Sequence, residues 1–412
     1  MIIVIVIHSR FFTVNFTGIR SYFYINIAVR LQIYLKFLGL EMNKEISDYL
    51  NKLRSQDLLR ILKQNGDREI IADFSSNDYL SLSKNLKSIN AGIEAAKTFG
   101  TGSTGSRLLS GNPEIFLDFE KQIAVDKNFK SALIFNSGFI ANFSVISAFS
   151  NLDYLIFFDK LNHSSMYQGV SPKQLLRFNH LNYRQLEKIL EEHKNYSKKL
   201  IASETVFGMD GDMADLTTLI DLAKKYEAIL YLDEAHATGL YGKNGYGIST
   251  NFSQNTESTI VMGTFSKALA SSGAYVVCSD VLKNYLIQVS KGFVYSTALS
   301  PFCIGVAAYN WRLLPQLGET RKEIFNKAKY LRNELSNMGY KYTGSGTNII
   351  AIIFNSIVQM LDINKKLLEN GIVTSAVRRP TSPTPRLRLA LNAKHSYDDI
   401  NLLLKYLREY GE

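Results

Sequence analysis

The sequence contains little cysteine and little proline. Only two cysteines, Cys278 and Cys303, stand among the 412 residues, and they do not form a close pair. We therefore expect neither a disulfide framework nor a metal site, and we expect a reducing, cytoplasmic location. Three of the seven prolines, Pro380, Pro383 and Pro385, fall in one stretch together with four arginines, which predicts a rigid arginine loop.

Concentrated charge is also missing from the sequence. The net charge is +10, yet the basic residues are scattered and form no long run. A nucleic-acid partner is therefore not expected, and the positive excess favours anionic substrates such as phosphates, coenzyme A or carboxylates. The composition, 46% hydrophobic and 20% charged, is that of a globular protein, and the length allows one large and one small domain.

Residues 1–41 differ from the rest because they contain no acidic residue before Glu41. The apolar run Met1–Ile7 is too short to span a membrane, and no positively charged segment precedes it, so a secretory signal is not expected. An acid-free segment that carries arginine fits an organelle transit peptide. The alternative, which we favour, is that translation begins at Met42, where an amphipathic helix over 43–64 is predicted.

Two buried strands are predicted to end close to reactive side chains. The apolar run Thr259–Met262 is followed by Lys267, and the run Ile229–Leu232 is followed by Asp233 and His236. Partial burial lowers the pKa of a lysine and makes the amine a usable nucleophile. Taken singly, these residues are a solvated lysine, a helix cap and a structural histidine. Together they form the pattern that pyridoxal phosphate requires: a lysine for the Schiff base and an acid for the pyridine nitrogen.

The two segments Leu232-Asp-Glu-Ala-His-Ala-Thr-Gly239 and Gly263-Thr-Phe-Ser-Lys-Ala268 resemble those of the α-oxoamine synthases, pyridoxal-phosphate-dependent enzymes of fold type I. The resemblance runs from about Glu45 to the C-terminus. It implies an α/β fold with a mostly parallel sheet in a large domain and a smaller α+β C-terminal domain. The predicted boundaries are 1–41 for an extension, 42–90 for a helix and active-site entrance, 91–314 for the large domain and 315–412 for the small one.

The alternation of apolar runs and helices in the chain predicts the same kind of sheet. The predicted strands of the large domain are Ser131–Phe135, Tyr154–Phe158, Lys199–Ser203, Ile229–Leu232, Thr259–Met262 and Ala274–Cys278. The predicted elements of the small domain are strands Asn348–Phe354, Ile372–Val377 and Arg386–Leu391 and helices over 319–338, 357–370 and 396–409.

A phosphate site is predicted where Asn136-Ser-Gly-Phe-Ile-Ala-Asn142 follows a strand and opens a helix, because the free backbone N–H groups of a helix start bind phosphate. Gly138 and Phe139 are the expected cradle. The resemblance adds the hydroxyl of Thr264 and, from the partner subunit of a homodimer with shared active sites, that of Thr297. It also makes the Gly-rich stretch 99–111, which lacks the Walker spacing, an active-site loop that crosses the dimer interface.

Further site residues are implied by the resemblance alone. His163, which by itself could be a cap neighbour or a core residue, stacks on the cofactor ring. His236 hydrogen-bonds the ring, and Glu204 stands at a strand end beside it. Many relatives carry serine where this chain has Gly208, so one hydrogen bond near the ring hydroxyl is left open or to water. The implied catalytic set is Lys267, Asp233, His163 and His236.

Arginines are expected to bind the substrates. The resemblance implies that Arg388 holds the amino-acid carboxylate, that Arg378 lies nearby and that Asn77 is close to the substrate. Arg60, in Gln56-Asp-Leu-Leu-Arg60, is implied to meet a carboxylate of the acyl substrate. Before the resemblance is counted, a solvated helix arginine and a solvated basic loop explain these positions equally well. The role of Arg386, which shares a strand face with Arg388, stays open.

Within the family, the arginine loop resembles best the members that condense L-alanine with pimeloyl-CoA or a pimeloyl carrier protein in biotin synthesis. A sister enzyme that joins glycine to an acetyl or other acyl group would have the same catalytic residues. A non-catalytic partner subunit of this fold would lack the lysine, and the presence of Lys267 argues against that alternative.

Overall fold

The computed structural model describes residues 2–7, 10–15, 39, 42–62, 69–252, 257–344 and 346–411. The chain divides into two compact units, residues 1–66 and 67–412. Within the described residues, no helix is both long enough and apolar enough to cross a lipid bilayer. The domain boundaries expected from the sequence stay predictions.

The first unit contains a hairpin and a helix. Strands β1 (Ile2–Ile7) and β2 (Arg10–Asn15) pair antiparallel. Helix α1 covers 42–55. The predicted helix over 43–64 is therefore too long, and its last two residues lie outside the described part. The helix ends because Asp57 adopts a φ of 56° and Leu58 donates its N–H back to the Leu53 carbonyl at 2.9 Å, a left-handed turn that closes a helix end.

Seven strands form the large sheet of the second unit, in the order β4-β10-β9-β8-β7-β5-β6. Strand β10 is antiparallel to both of its neighbours, and the other pairs are parallel. The mostly parallel sheet is thus confirmed. The strands are β4 (Ser131–Phe135), β5 (Leu155–Asp159), β6 (Leu175–Phe178), β7 (Lys199–Glu204), β8 (Ile229–Asp233), β9 (Thr259–Thr264) and β10 (Ala274–Cys278).

Of the seven strands of the large sheet, only the edge strand β6 was not predicted from the sequence. Three of its four residues are partly or fully exposed, including the exposed Arg177, and only Phe178 is buried, so they form no continuous apolar run. The inner strands are buried on both faces because two hydrophobic clusters cover the sheet. Neighbours in one strand alternate between them: Phe157 and Val261 belong to one cluster, Phe158 and Met262 to the other.

Helices pack on both faces of the sheet and contribute side chains to both hydrophobic clusters. They are α2 (Leu86–Phe99), α3 (Glu114–Asp126), α4 (Gly138–Ser150), α5 (Ser164–Tyr167), α6 (Tyr183–Glu192), α7 (Leu216–Lys225), α8 (Asp280–Val289), α9 (Lys291–Val294) and α10 (Pro301–Leu313). Short 3-10 turns cover Lys243–Gly245, Ile248–Asn251 and Leu314–Leu317.

A smaller antiparallel sheet follows, in the order β11-β12-β15-β14, with three helices. Its elements are β11 (Tyr342–Thr343), β12 (Ile349–Ile353), β14 (Ser375–Val377), β15 (Arg386–Ala390), α11 (Gly318–Asn337), α12 (Ile357–Glu369) and α13 (Tyr397–Gly411). The single strand predicted over Ile372–Val377 is wrong. Strand β13 (Ile372–Val373) pairs instead with β3 (Ala72–Asp73), while β14 pairs with β15. The break arises because the two halves of this stretch pair with different sheets.

The parallel arrangement places the ends of several strands at one edge of the large sheet. Glu204 ends β7, Asp233 ends β8 and Thr264 ends β9, and Glu204 pairs in register with Asp233. Helix α4 begins directly after β4, with Ser137 as its N-cap. Ligands of open α/β sheets bind outside the carboxyl ends of the parallel strands, so the site is expected at this edge.

Candidate active site at the carboxyl edge of the large sheet

A cavity of about 210 Å³ opens at this edge of the sheet. It is lined by Ser137, Gly138, Phe139, Asn142, His163, Glu204, Asp233, Ala235, His236, Met262, Thr264, Ser266 and Lys267. All the predicted cofactor residues except Thr297 are therefore brought together around one space.

Lys267 lies in this cavity close to two carboxyl groups. Burial lowers the pKa of Lys267 to about 8, although the charges of Asp233 and Glu204 oppose the shift. Burial, with repulsion from Asp233, raises the pKa of Glu204 to about 8. At neutral pH, Glu204 thus keeps its proton, and Lys267 supplies far more neutral amine than a solvated lysine does.

Hydrogen bonds hold Asp233 in place. One carboxylate oxygen accepts a hydrogen bond from Asn142 Nδ2 at 2.8 Å, and the other accepts one from the Ala235 N–H at 2.8 Å. Asn142 is itself fixed because Tyr231 donates its hydroxyl proton to Asn142 Oδ1 at 2.5 Å. The carboxylate forms no salt bridge with a described residue, so it is available to a positively charged ligand group.

The start of helix α4 borders the same cavity. Ser137 accepts a hydrogen bond from the Ile140 N–H at 3.2 Å, and the first N–H groups of the helix have no partner within the helix. A side-chain carbon added to Gly138 would lie 3.7 Å from the Thr264 Cβ, in van der Waals contact, so the start of the helix lies close to the end of β9. The Thr264 hydroxyl donates to the Gly273 carbonyl at 2.9 Å, whereas the neighbouring Ser266 is exposed.

These groups fit pyridoxal phosphate. The helix start suits the phosphate, the Asp233 carboxylate suits a protonated pyridine nitrogen, and the Lys267 amine suits the aldehyde. The protein's own hydrogen bonds hold the Asp233 carboxylate and the start of helix α4 in place. The site is therefore preorganised for the cofactor.

Two neutral histidines face the cavity. His163 caps the short helix α5 and its Nδ1 lies 2.7 Å from the Ser165 hydroxyl. Burial, the Asp233 charge and the Lys267 charge act on the pKa of His163, and burial dominates and lowers it. Burial also holds the pKa of His236 well below its usual value. Both imidazoles are therefore uncharged at neutral pH and can lie against an aromatic ring.

Arg388 reaches the site from the smaller sheet. It is 3% exposed, its Nε donates to the Gly208 carbonyl at 2.6 Å, and its Nη2 donates to Asn77 Oδ1 at 3.0 Å. No carboxylate of the described residues forms a salt bridge with it. A buried guanidinium without a counter-ion favours the binding of an anion, because an unpaired buried charge is costly.

The comparisons with known proteins agree with this geometry. A family model for aminotransferase class I and II matches residues 69–407. The chain belongs to the aminotransferase class I and II family. Among curated members, a putative 8-amino-7-oxononanoate synthase of Magnetococcus marinus is 40% identical over 81% of this chain and 86% of that protein. The 8-amino-7-oxononanoate synthase of Lysinibacillus sphaericus is 33% identical over 90% of this chain and 99% of that protein.

Solved structures of family members share the fold. A serine palmitoyltransferase from S. paucimobilis, solved with bound pyridoxal phosphate, has a TM-score of 0.81 and 25% identity, covering 90% of this chain and 98% of that chain. An 8-amino-7-oxononanoate synthase from Francisella tularensis has a TM-score of 0.70 and 28% identity, covering 82% and 97%. The predicted resemblance to α-oxoamine synthases, the fold type and the cofactor are thus confirmed. The protein is a pyridoxal-phosphate-dependent enzyme of this family.

Four further positions from the sequence analysis are one threonine and three arginines. Thr297 is exposed, and its carbonyl accepts a hydrogen bond from Asn136 Nδ2 at 2.6 Å, so a contact with a partner's phosphate stays a prediction. Arg378 is half-buried, follows β14 and does not line the cavity. Arg60 is exposed and lies in the first unit, so its acyl-substrate role stays a prediction. Arg386 forms a salt bridge with Asp210 and therefore has a structural partner.

The small size of Gly208 leaves room for the His236 ring. A side-chain carbon at this position would overlap His236 Nε2 and would lie 2.7 Å from Cδ2. The Gly208 N–H donates to Glu204 Oε2 at 3.2 Å and its carbonyl accepts from Arg388. No side chain at residue 208 can occupy this space while His236 keeps its place.

Five residues that line the cavity were not predicted as site residues: Ser137, Asn142, Ala235, Met262 and Ser266. Tyr79, which contacts the cavity residue His236, was missed as well. Asn142 follows Gly138 by four positions, so helical spacing alone places it one turn along the same face of α4. Ser266 directly precedes the lysine. Tyr79 lies two residues after Asn77, but no periodicity distinguishes it from a core tyrosine.

Proposed function

We propose that this enzyme is an acyltransferase that condenses L-alanine with a pimeloyl thioester, with loss of CO2 and free thiol, to give 8-amino-7-oxononanoate in biotin biosynthesis. The observation that supports it most is the buried Arg388, without a carboxylate partner in the described chain and close enough to Lys267 to lower its pKa. The names of the curated relatives point to the same reaction.

When bound, pyridoxal phosphate supplies an aldehyde for amines and an electron-withdrawing ring that takes up the electron pair left on the amino-acid Cα. Lys267 would hold the cofactor through its aldehyde and, as a free amine, would take the Cα proton; burial lowers the pKa of this amine to about 8, which suits a base. Asp233 would hold the proton of the ring nitrogen. Arg388 orients the carboxylate that later leaves as CO2, using the planar fork of its guanidinium.

The remaining residues bind and orient. Gly138 and Phe139, at the start of α4, would hold the phosphate together with Thr264. His163 would stack on the cofactor ring, and His236 would hydrogen-bond it. Arg60, Arg378 and Asn77 are proposed to bind the substrates, with one arginine for the distal carboxylate of the pimeloyl chain. The acyl carrier, coenzyme A or a carrier protein, is not distinguished by these residues.

We further propose a cytoplasmic homodimer with shared active sites. The Gly-rich loop and the segment that contains Thr297 are joined, because the Ala298 N–H donates to the Gly105 carbonyl at 2.9 Å. Three large apolar side chains on these two stretches, Leu108, Leu109 and Tyr295, are exposed. An apolar surface of this kind is suited to cover by a second subunit.

Two other α-oxoamine synthase reactions are the alternatives. Glycine with acetyl-CoA would need the same catalytic residues. L-serine with palmitoyl-CoA is favoured by one observation, the TM-score of 0.81 to a serine palmitoyltransferase. The identity of 25% to that enzyme is lower than the 33% and 40% to the relatives named 8-amino-7-oxononanoate synthase, which is why we prefer the first reaction.

The test is a matrix of amino acids and thioesters with thiol release as the readout. L-alanine, glycine and L-serine are each combined with pimeloyl, acetyl and palmitoyl thioesters. We expect L-alanine with the pimeloyl thioester to have the highest kcat/KM. A higher value for glycine with acetyl-CoA, or for L-serine with palmitoyl-CoA, would replace the proposed reaction by that of the sister enzyme.

A further inference from the structure

Four side chains from three parts of the sequence form one chain of hydrogen bonds beside the cavity. Arg388 Nη2 lies 3.0 Å from Asn77 Oδ1, the Tyr79 hydroxyl lies 3.1 Å from the same oxygen, and the Tyr79 hydroxyl lies 2.6 Å from His236 Nδ1. The Tyr79 side chain is completely buried. Burial raises the pKa of Tyr79 in spite of the nearby Arg388, so its hydroxyl is neutral.

The direction of each proton in this chain follows from what each group can do. A guanidinium only donates, so Asn77 must turn its carbonyl oxygen toward Arg388. That oxygen only accepts, so the 3.1 Å contact requires Tyr79 to donate its single proton to Asn77. The 2.6 Å contact with His236 then requires the imidazole to donate. His236 is therefore a neutral ring with its proton on Nδ1 and a bare lone pair on Nε2.

The other edge of the His236 ring rests on Gly208. A side-chain carbon at Gly208 would overlap His236 Nε2, the nearest ring atom, and would lie 2.7 Å from Cδ2 and 2.8 Å from Cε1, so only a bare backbone leaves room for the ring. The Gly208 carbonyl in turn accepts from Arg388 Nε at 2.6 Å. The circuit Arg388–Asn77–Tyr79–His236–Gly208 is thus closed and returns to the same guanidinium.

We infer that Tyr79 is a positioning residue that holds His236 with its proton on Nδ1 and ties the imidazole to the carboxylate-binding Arg388. His236 lines the cavity, and its Nε2 is the ring atom that lies nearest to Gly208. The titratable and charged groups that face His236 are Tyr79, Lys267, Arg388 and His163. The link to Arg388 rests on the proposed function, whereas the position of the proton does not.

The direct test is nuclear magnetic resonance of the protein labelled with ¹⁵N in its histidines. The chain has six histidines, and the His236 signals are assigned by their loss in His236→Ala. We expect a protonated Nδ1 and a bare Nε2 at neutral pH, with and without pyridoxal phosphate. In Tyr79→Phe, which keeps the buried ring but lacks the hydroxyl, we expect the Nδ1 shift to move. A protonated Nε2 in the wild type, or unchanged shifts in Tyr79→Phe, would overturn the inference.

A kinetic cycle tests whether the effect passes through His236. Losing one buried hydrogen bond is expected to lower kcat about tenfold in Tyr79→Phe, with the amino-acid KM changed less. In a His236→Asn background, the same change should cost no more than about twofold, because coupled residues are not additive. Equal losses in both backgrounds, or no loss in the wild type, would show that Tyr79 does not act through His236.

Tyr241→Phe is the matched control. Tyr241 is a tyrosine near Tyr79 whose hydroxyl lies outside this circuit, and its replacement should leave the histidine shifts and kcat unchanged. The kinetic cycle uses whichever amino acid and thioester react best in the matrix. A failure of the proposed substrates would therefore leave both the proton position and the coupling open to measurement, so the two failures are distinguishable.

Discussion

Arg386 and Arg388 lie two residues apart on β15 and are 6% and 3% exposed, yet they differ in their partners. Arg386 forms a salt bridge with Asp210. Arg388 donates to the Gly208 carbonyl and to Asn77 and has no carboxylate partner among the described residues. Methionine in place of each arginine keeps a long side chain but removes the charge and the N–H donors of the guanidinium. The pair of variants therefore separates ligand binding from stability.

The expected magnitudes follow from these partners. Arg388→Met removes a charge-assisted, two-point contact with the substrate carboxylate, about 3 kcal/mol, or on the order of a hundredfold in the amino-acid KM. It also removes a buried charge that lacks a counter-ion, so the free energy of unfolding of the cofactor-free protein should change by about 1 kcal/mol or less. Arg386→Met leaves the Asp210 carboxylate uncompensated and should lower that free energy by about 3 kcal/mol.

Two measurements check this contrast: thiol release with varied amino acid, and urea unfolding of the cofactor-free protein. We expect Arg388→Met to raise KM with little change in stability. Arg386→Met should lower stability and change KM by no more than about threefold, about 0.7 kcal/mol. The reasoning is refuted if Arg386→Met raises KM as much as Arg388→Met does, or if Arg388→Met proves the less stable of the two.

Four further predictions concern the amine, the acid and the first residues. Lys267→Ala should fold but give no pyridoxal adduct after borohydride reduction and no turnover; an adduct mapped to another lysine would remove this assignment. In the cofactor-free enzyme, labelling of Lys267 by an amine reagent should rise with pH and reach half its maximum near pH 8, because only the unprotonated amine reacts and burial lowers its pKa; a midpoint near 10.5 would contradict this. Asp233→Asn should keep the reducible adduct and lose about 10²–10⁴-fold in kcat, since an amide does not hold the ring proton, and wild-type turnover would exclude the role. A protein that begins at Met42 should remain folded, dimeric and fully active, and loss of activity would show that 1–41 are structural.

Most strands of the fold and the reactive side chains could be predicted from the local sequence. Strands that are buried on both faces appear in the sequence as continuous apolar runs and can be predicted without knowing which strands they pair with. This is the case for Thr259–Met262 and Ile229–Leu232. Because Asp233 directly follows one run and Lys267 follows the other by five residues, their meeting at one sheet edge follows from parallel pairing of the two strands. The helix start at Gly138 was likewise predictable from a strand that is followed by Asn136-Ser-Gly.

Pairing and partners were decided by the tertiary structure. Residues 372–377 were predicted as one strand, yet residues 372–373 pair with β3 and residues 375–377 pair with β15. These two partner strands lie far apart in the sequence. Arg386 and Arg388 share a face, and only the presence of Asp210 beside one of them distinguishes a structural ion pair from a free ligand site. Tyr79 joins His236 across 157 positions. Local propensity and periodicity describe neighbours in sequence, and these contacts depend on which distant backbone segments the folded chain brings together.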